Sequence, residues 1–190
     1  MSSSKKNLKL VIIGNQSVGK TCLVYTFANG KFPTDFVPSI HEKYSKKLSH
    51  VNVDIIDSFG QIQADTERWD SFYIKADIYL LCFSVVDPES FETLLTSWIE
   101  LIESKEKHPA YLLVGLKTDL RGDRTVLNGL QSQSMRPIQP EEGKVKANEI
   151  DAYGYVECSA LSGNGVKEVF DQAIQFAENP PNEGGCCVIA

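Results

Sequence analysis

Positive charge is short in this chain: Lys and Arg number 19 against 25 Asp and Glu, a formal net charge of −6. Surfaces that grip nucleic acid through its phosphates need clustered Lys and Arg. Nucleic acid is therefore excluded as a partner, and any phosphate recognition must be local. Long apolar runs are missing as well. The longest, Ile78–Phe83, is far too short to span a bilayer. Residues 1–7 are polar, without the apolar centre of a secretion signal. The expected location is the cytosol. No CxxC pair suggests zinc, and Cys22, Cys82 and Cys158 fall within apolar or helical segments, so they read as reduced, buried thiols. Cys186 and Cys187 stand apart at the C-terminus. With 42% apolar residues in 190, the chain fits a single globular domain with a substantial core.

What is present is a phosphate-binding pattern. Gly14–Thr21 reads GNQSVGKT. It matches GxxxxGK[ST], in which two glycines let the backbone curl so that successive amide hydrogens converge on a phosphate chain. The apolar run Leu8, Leu10, Val11, Ile12 and Ile13 precedes it, and Leu23, Val24 and Phe27 follow at helical spacing. A strand thus feeds the loop, and the loop opens a helix whose positive end faces the anion. Lys20 adds a point charge, and Thr21 offers a hydroxyl to Mg²⁺.

Beyond it, apolar and helical segments alternate. Tyr44–Leu48 and Val51–Ile56 read as extended, Ile78–Ser84 and Ala110–Gly115 as strands, and Tyr155–Cys158 as a last short strand. Asp87 with Pro88 starts one helix and Gln139–Glu142 another. Val166, Val169, Phe170, Ala173, Ile174 and Ala177 make a stripe wide enough to pack on a sheet. The predicted fold is α/β, a six-stranded and mostly parallel sheet with helices on both faces. Ligands of such sheets sit outside the carboxyl ends of the strands. The candidate residues fall there: Asp57 in DSFGQ, Lys117 and Asp119 in GLKTDL, Ser159 and Ala160 in ECSAL. One loop acid alone is usually a solvated turn or a cap. Their recurrence at successive strand ends, beside the phosphate loop, points to one site.

On these motifs the sequence resembles the small GTPases of the Ras superfamily, and within it the Rho/Rac family, over nearly the whole chain. FVPSIHEKY looks like switch I. KTCLVYTFANGKFP, CFSVVDPESFE and the long segment Arg121–Gly143, ending QPEEG, point to the Rho/Rac branch. The resemblance implies a P-loop GTPase fold over residues 1–178, a C-terminal tail over 179–190, and a monomer. It implies GTP or GDP held with Mg²⁺. Gln16, Ser17, Val18, Gly19, Lys20, Thr21 and Cys22 would surround the phosphates, with Lys20 on the outer ones. Thr21 and Ser39 would ligate Mg²⁺, and Asp57 would hold it through water. Gly60 would give its amide to the γ-phosphate, and Gln61 would orient the attacking water. Asp119 would accept hydrogen bonds from the guanine N1 and exocyclic amine, a pattern adenine lacks. Lys117 and Phe32 would sandwich the base, and Ser159, Ala160 and Leu161 would form its last contact loop. Taken alone, Phe32 also reads as a plain core or loop-anchoring aromatic.

Several positions depart from the family pattern. Gln16 stands where a glycine is usual and Phe59 where alanine is, so both should crowd the catalytic corner and slow hydrolysis. Leu116 replaces a polar residue that ties the base loop to the phosphate loop, which implies faster nucleotide exchange. Phe36 lacks a hydroxyl, Ser39 is less restricted than Thr, and Ile56 replaces an aromatic that helps choose exchange factors. The Gly, Asn, Ser and Gln content of the Arg121–Gly143 segment argues against a well-formed helix there. Trp69, Phe72 and Tyr73 read either as exposed partner anchors or as packing on a neighbouring helix. His41, Glu42 and Tyr44 would form the effector edge.

The chain ends Cys187-Val188-Ile189-Ala190, a prenylation box whose terminal Ala reads as farnesyl. One prenyl chain anchors reversibly, and residues 179–185 contain no Lys or Arg, so Cys186 is the candidate second, palmitoylated signal. The implied function is a Rho-like switch on the cytoplasmic face of membranes. It would act on effectors, exchange factors and GTPase-activating proteins through switches I and II, with the cytoskeleton as the usual output. The alternatives are a non-hydrolysing, GTP-loaded docking module and an ATP-dependent phosphotransferase, the latter leaving GLKTDL and ECSAL unexplained.

Overall fold

The computed structural model describes residues 5–34 and 43–180. Six strands, β1 (Lys6–Ile13), β2 (Lys43–Lys47), β3 (Val51–Asp57), β4 (Ile78–Ser84), β5 (Tyr111–Leu116) and β6 (Tyr155–Glu157), form one sheet in the order β2-β3-β1-β4-β5-β6. β2 and β3 are antiparallel and every other neighbouring pair is parallel. Every residue of β4, IYLLCFS, is buried, as befits a parallel strand covered on both faces. β2, KYSKK, alternates exposed and half-buried residues at the sheet edge. Its lysines keep that edge wet.

The helices are α1 (Lys20–Asn29), α2 (Ile62–Arg68), α3 (Pro88–Thr93), α4 (Ile99–Lys105), α5 (Arg124–Ser132), α6 (Pro140–Glu149) and α7 (Val166–Glu178). A π-helical turn, Leu94–Trp98, joins α3 to α4. The two-residue period of β1 divides the core. Leu8, Leu10 and Ile12 face a cluster with Leu23 of α1 and Val169 and Phe170 of α7. Val11 and Ile13 face the opposite cluster with Trp69, Phe83 and Trp98. The expected helix starts are present. The Asp87 carboxylate accepts from the Ser90 amide at 3.1 Å ahead of Pro88, and Gln139 and Glu142 form a capping box.

Two readings of the sequence are corrected, and the open choice for Trp69, Phe72 and Tyr73 is decided. The Arg121–Gly143 segment does contain a helix, α5, whose Asp123 cap accepts from the Val126 amide at 3.0 Å and whose Leu130 is buried. A cap contributes about 1 kcal/mol, which together with one apolar anchor outweighs the poor propensities of Asn128 and Gly129. Trp69 and Tyr73 are fully buried and edge-to-face, with ring centroids 5.3 Å apart, so they are core; Phe72 alone of the three is exposed. Cys82 and Cys158 are buried free thiols, but Cys22 is only half-buried. No helix among the described residues is long and apolar enough to cross a membrane.

Candidate functional site

β1 delivers the chain to Gly14 at φ +144°, where a Cβ would collide with the Cys82 carbonyl oxygen of β4. Only glycine lets the loop pass that close to the neighbouring strand. Ser17 and Gly19 also take positive φ, 62° and 115°, which turns the backbone into α1. Lys20 folds back over the loop, its Nζ donating to the Gly14 and Asn15 carbonyls at 2.8 Å each. It is 5% exposed, and burial depresses its pKa against the opposing attraction of Asp57. A desolvated ammonium whose two hydrogen bonds go to neutral carbonyls favours an incoming anion, so a phosphate chain fits. Val18 is buried beneath the loop, while Gln16 and Ser17 are exposed on it.

The Thr21 hydroxyl donates to Asp57 Oδ2 at 2.5 Å, and Asp57 is 1% exposed. Hard oxygens so placed suit Mg²⁺. Ser39, the other expected ligand, lies outside the described residues, as do Phe36, His41, Glu42, Cys186 and Cys187.

After Asp57 the chain presses Gly60 on the phosphate loop. A Cβ there would lie 2.5 Å from Lys20 Nζ and 2.6 Å from the Gln16 nitrogen. The Gly60 carbonyl accepts from the Gln16 amide at 3.0 Å. Gln61 follows, exposed, as the residue before α2. A cleft of about 430 Å³ opens beside Gln16 and Gly60, walled by Asn15, Ile62, Asp87, Glu89 and Ser90. The Phe59 ring is covered by the Arg68 guanidinium, 4.5 Å from its centroid.

A second, mostly apolar cleft of about 260 Å³ adjoins the other side of the phosphate loop. It is lined by Gly19, Cys22, Phe32, Leu116, Lys117, Asp119, Leu120, Ala160 and Leu161. Lys117, at φ 62°, reaches across to give its Nζ to the Ser17 carbonyl at 2.6 Å, so the two loops are bonded directly. Leu116 is buried, with its Cδ1 3.7 Å from where a Cβ of Gly19 would stand, and fills with apolar packing the place of the expected polar tie. Ser159 Oγ accepts from the Ser162 amide at 3.1 Å, which shapes the loop that carries Ala160 and Leu161. The Ala160 carbonyl accepts from the Thr26 hydroxyl of α1 at 3.3 Å. A slot with apolar walls and one exposed carboxylate at its rim is built for a flat heterocycle with adjacent N–H donors.

The Ras family model matches residues 9–179. The chain belongs to the Ras family. It is a small GTPase built as a molecular switch, of a family that binds GTP and GDP, generally with Mg²⁺, and works with effectors, exchange factors and GTPase-activating proteins.

Several residues that shape the site of this Ras-family protein carry no local signal in the sequence. Trp98, 83 positions beyond Asn15, donates its indole N–H to Asn15 Oδ1 at 2.7 Å. Arg121, just after the base-side turn, makes paired bonds of 2.7 and 2.6 Å to Glu157 on β6. The Tyr155 hydroxyl adds a third bond to Glu157 at 2.6 Å. Asp65, fully buried on α2, gathers the amides that flank Gly60. Only the Asp65 spacing, four residues after Gln61 at a helix start, was open to detection beforehand.

Proposed function

We propose that this Ras-family protein is a Rho-like GTPase switch that is anchored by lipid to the cytoplasmic face of membranes, the plasma membrane foremost, and acts on the cytoskeleton. The observation that carries the nucleotide reading is the convergence of the strand-end loops. Lys20 folds over the phosphate loop, Thr21 touches Asp57, Gly60 abuts both loop and lysine, and Lys117 bonds back to Ser17. GTP or GDP then lies along one rim. Gln16, Ser17, Val18, Gly19, Lys20, Thr21 and Cys22 take the phosphates, and Phe32, Lys117, Asp119, Ser159, Ala160 and Leu161 take the guanine. Bound Mg²⁺ would neutralise the developing phosphate charge; Thr21, Ser39 and Asp57 are the residues to hold it. Gln61, exposed beside the cleft, orients the attacking water.

The Rho assignment is supported by KTCLVYTFANGKFP, by CFSVVDPESFE and by helix α5 between β5 and α6. Cys187 is the prenyl site and Cys186 the second lipid site, on a tail that begins after the domain of residues 1–178. Hydrolysis is slow, because Gln16 borders the cleft that a water and a partner's arginine must enter. Single-turnover hydrolysis of γ-labelled GTP by the wild type and Gln61→Leu tests the enzymatic reading, with phosphate release expected from the first and not the second. A wild type that keeps its GTP intact as long as Gln61→Leu does supports instead the GTP-loaded docking module, which the position of Gln16 favours. Mass spectrometry of the native protein, finding residues 188–190 removed and Cys187 prenylated, tests the anchor.

A further inference from the structure

We propose that Asp65 sets the preference of the switch between guanosine diphosphate and triphosphate: its carboxylate is an internal anion holding the loop amides that a third phosphate must claim. This rests on the nucleotide reading above. Asp65 Oδ1 accepts from the Phe59 amide at 3.0 Å and from the Tyr73 hydroxyl at 2.6 Å. Oδ2 accepts from the Gly60 amide at 2.9 Å and the Gln61 amide at 3.2 Å. The side chain has no solvent exposure. Consecutive amides converging on one oxyanion form the same kind of concavity that holds phosphates, here filled by the chain's own carboxylate.

Both backbone polar groups of Gly60 are thereby engaged within the protein. Its N–H turns inward to Asp65, while its C=O caps the Gln16 amide of the phosphate loop at 3.0 Å. A diphosphate leaves both bonds in place. A third phosphate that takes the Gly60 amide must pull it from a buried carboxylate, where charge-assisted bonds are the strong ones. The same carboxylate fixes the backbone of Gln61, so Asp65 is also a positioning residue for hydrolysis. Tyr73, packed edge-to-face on Trp69, anchors the arrangement to the core.

The test uses the full chain with Mg²⁺ and compares affinities for fluorescent GDP and for a non-hydrolysable GTP analogue in the wild type and in Asp65→Asn. The substitution keeps the shape but removes the charge, and its amide group turns a donor toward donors. The preference for GDP over the analogue should fall about tenfold, because the Gly60 amide is freed, a change that a general loosening of the fold would not produce in the ratio. A ratio unchanged within twofold, with GDP still bound, overturns this proposal alone. Failure of the wild type to bind GDP overturns the nucleotide reading instead. Should Asp65→Asn not fold, the wild type still decides: the Asp65 carboxyl carbon and Gly60 amide resonances should differ between GDP-loaded and analogue-loaded protein, and coincident resonances refute the competition.

Discussion

Arg121 and Glu157 join the turn that carries Asp119 to β6, the strand that leads into the Ser159 and Ala160 loop, so cutting their link should loosen the base-side cleft. Their side chains are 21% and 19% exposed, neither surface nor core. Two N–H···O contacts of 2.7 and 2.6 Å make the pair bidentate. The Tyr155 hydroxyl shares the same carboxylate, and Arg121 Nε reaches the Ile138 carbonyl at 3.2 Å. Glu157 raises the Arg121 pKa above its ordinary value, chiefly through the hydrogen bond, with burial opposing. Exposed ion pairs are worth about 0–1 kcal/mol, and removing one partner of a fully buried pair costs about 3–5 kcal/mol. Bidentate geometry at one-fifth exposure places the coupling near the middle, at about 2 kcal/mol. In a domain of this size that lowers Tm by roughly 4–8 °C for each single change. Arg121→Ala, Glu157→Gln and the double variant, unfolded by heat and by urea in excess GDP, form a cycle that isolates the pair. The double variant should melt close to either single one, and both single variants should release GDP faster. A coupling below about 0.5 kcal/mol, the usual additivity error, refutes the reasoning.

Trp98→Phe removes the indole donor to Asn15 and leaves the ring packing largely intact; at about 1 kcal/mol for one hydrogen bond, GDP release should accelerate severalfold in a dissociation assay. Gln16→Gly should raise single-turnover GTP hydrolysis roughly tenfold, equivalent to about 1.4 kcal/mol of barrier, and equal rates would remove crowding as the cause of slow turnover. Burial pushes the Cys158 thiol up to about 12 and Cys82 well above its ordinary value, so both stay protonated at about pH 8. Iodoacetamide at that pH should mark half-buried Cys22 before Cys82 and Cys158 in the folded protein, and labelling of Cys82 ahead of Cys22 would contradict the burial.

The sheet was legible because its signal is local. β4 is the six-residue apolar run Ile78–Phe83 closed by Ser84, buried throughout as such a run requires. Gly14–Thr21 carries its conformation in its glycines, and the caps at Asp87 and Gln139 act within one helical turn. Where competing local signals were weak, the reading failed: α5 forms on one cap and one buried leucine against its composition. Trp69 and Tyr73 could not be assigned to core or surface beforehand, since that depends on β1 and β4 lying beneath them. The links from Trp98 to Asn15 and from Arg121 to Glu157 span 83 and 36 positions, and no spacing rule within a helix or strand reaches that far. Asp57, Lys117 and Asp119 were found because the sheet's topology places strand ends together, whereas the residues that hold those loops in register emerged only from the packed structure.

The most direct measurement of the central claim is the nucleotide carried by the full-length protein purified in the presence of Mg²⁺, released by acid and separated by chromatography. The account predicts about one guanosine nucleotide per chain, as expected of a single phosphate loop, exchangeable for added GDP but not for ADP. Protein that comes out empty and does not take up GDP, or that carries adenosine nucleotide, would contradict it.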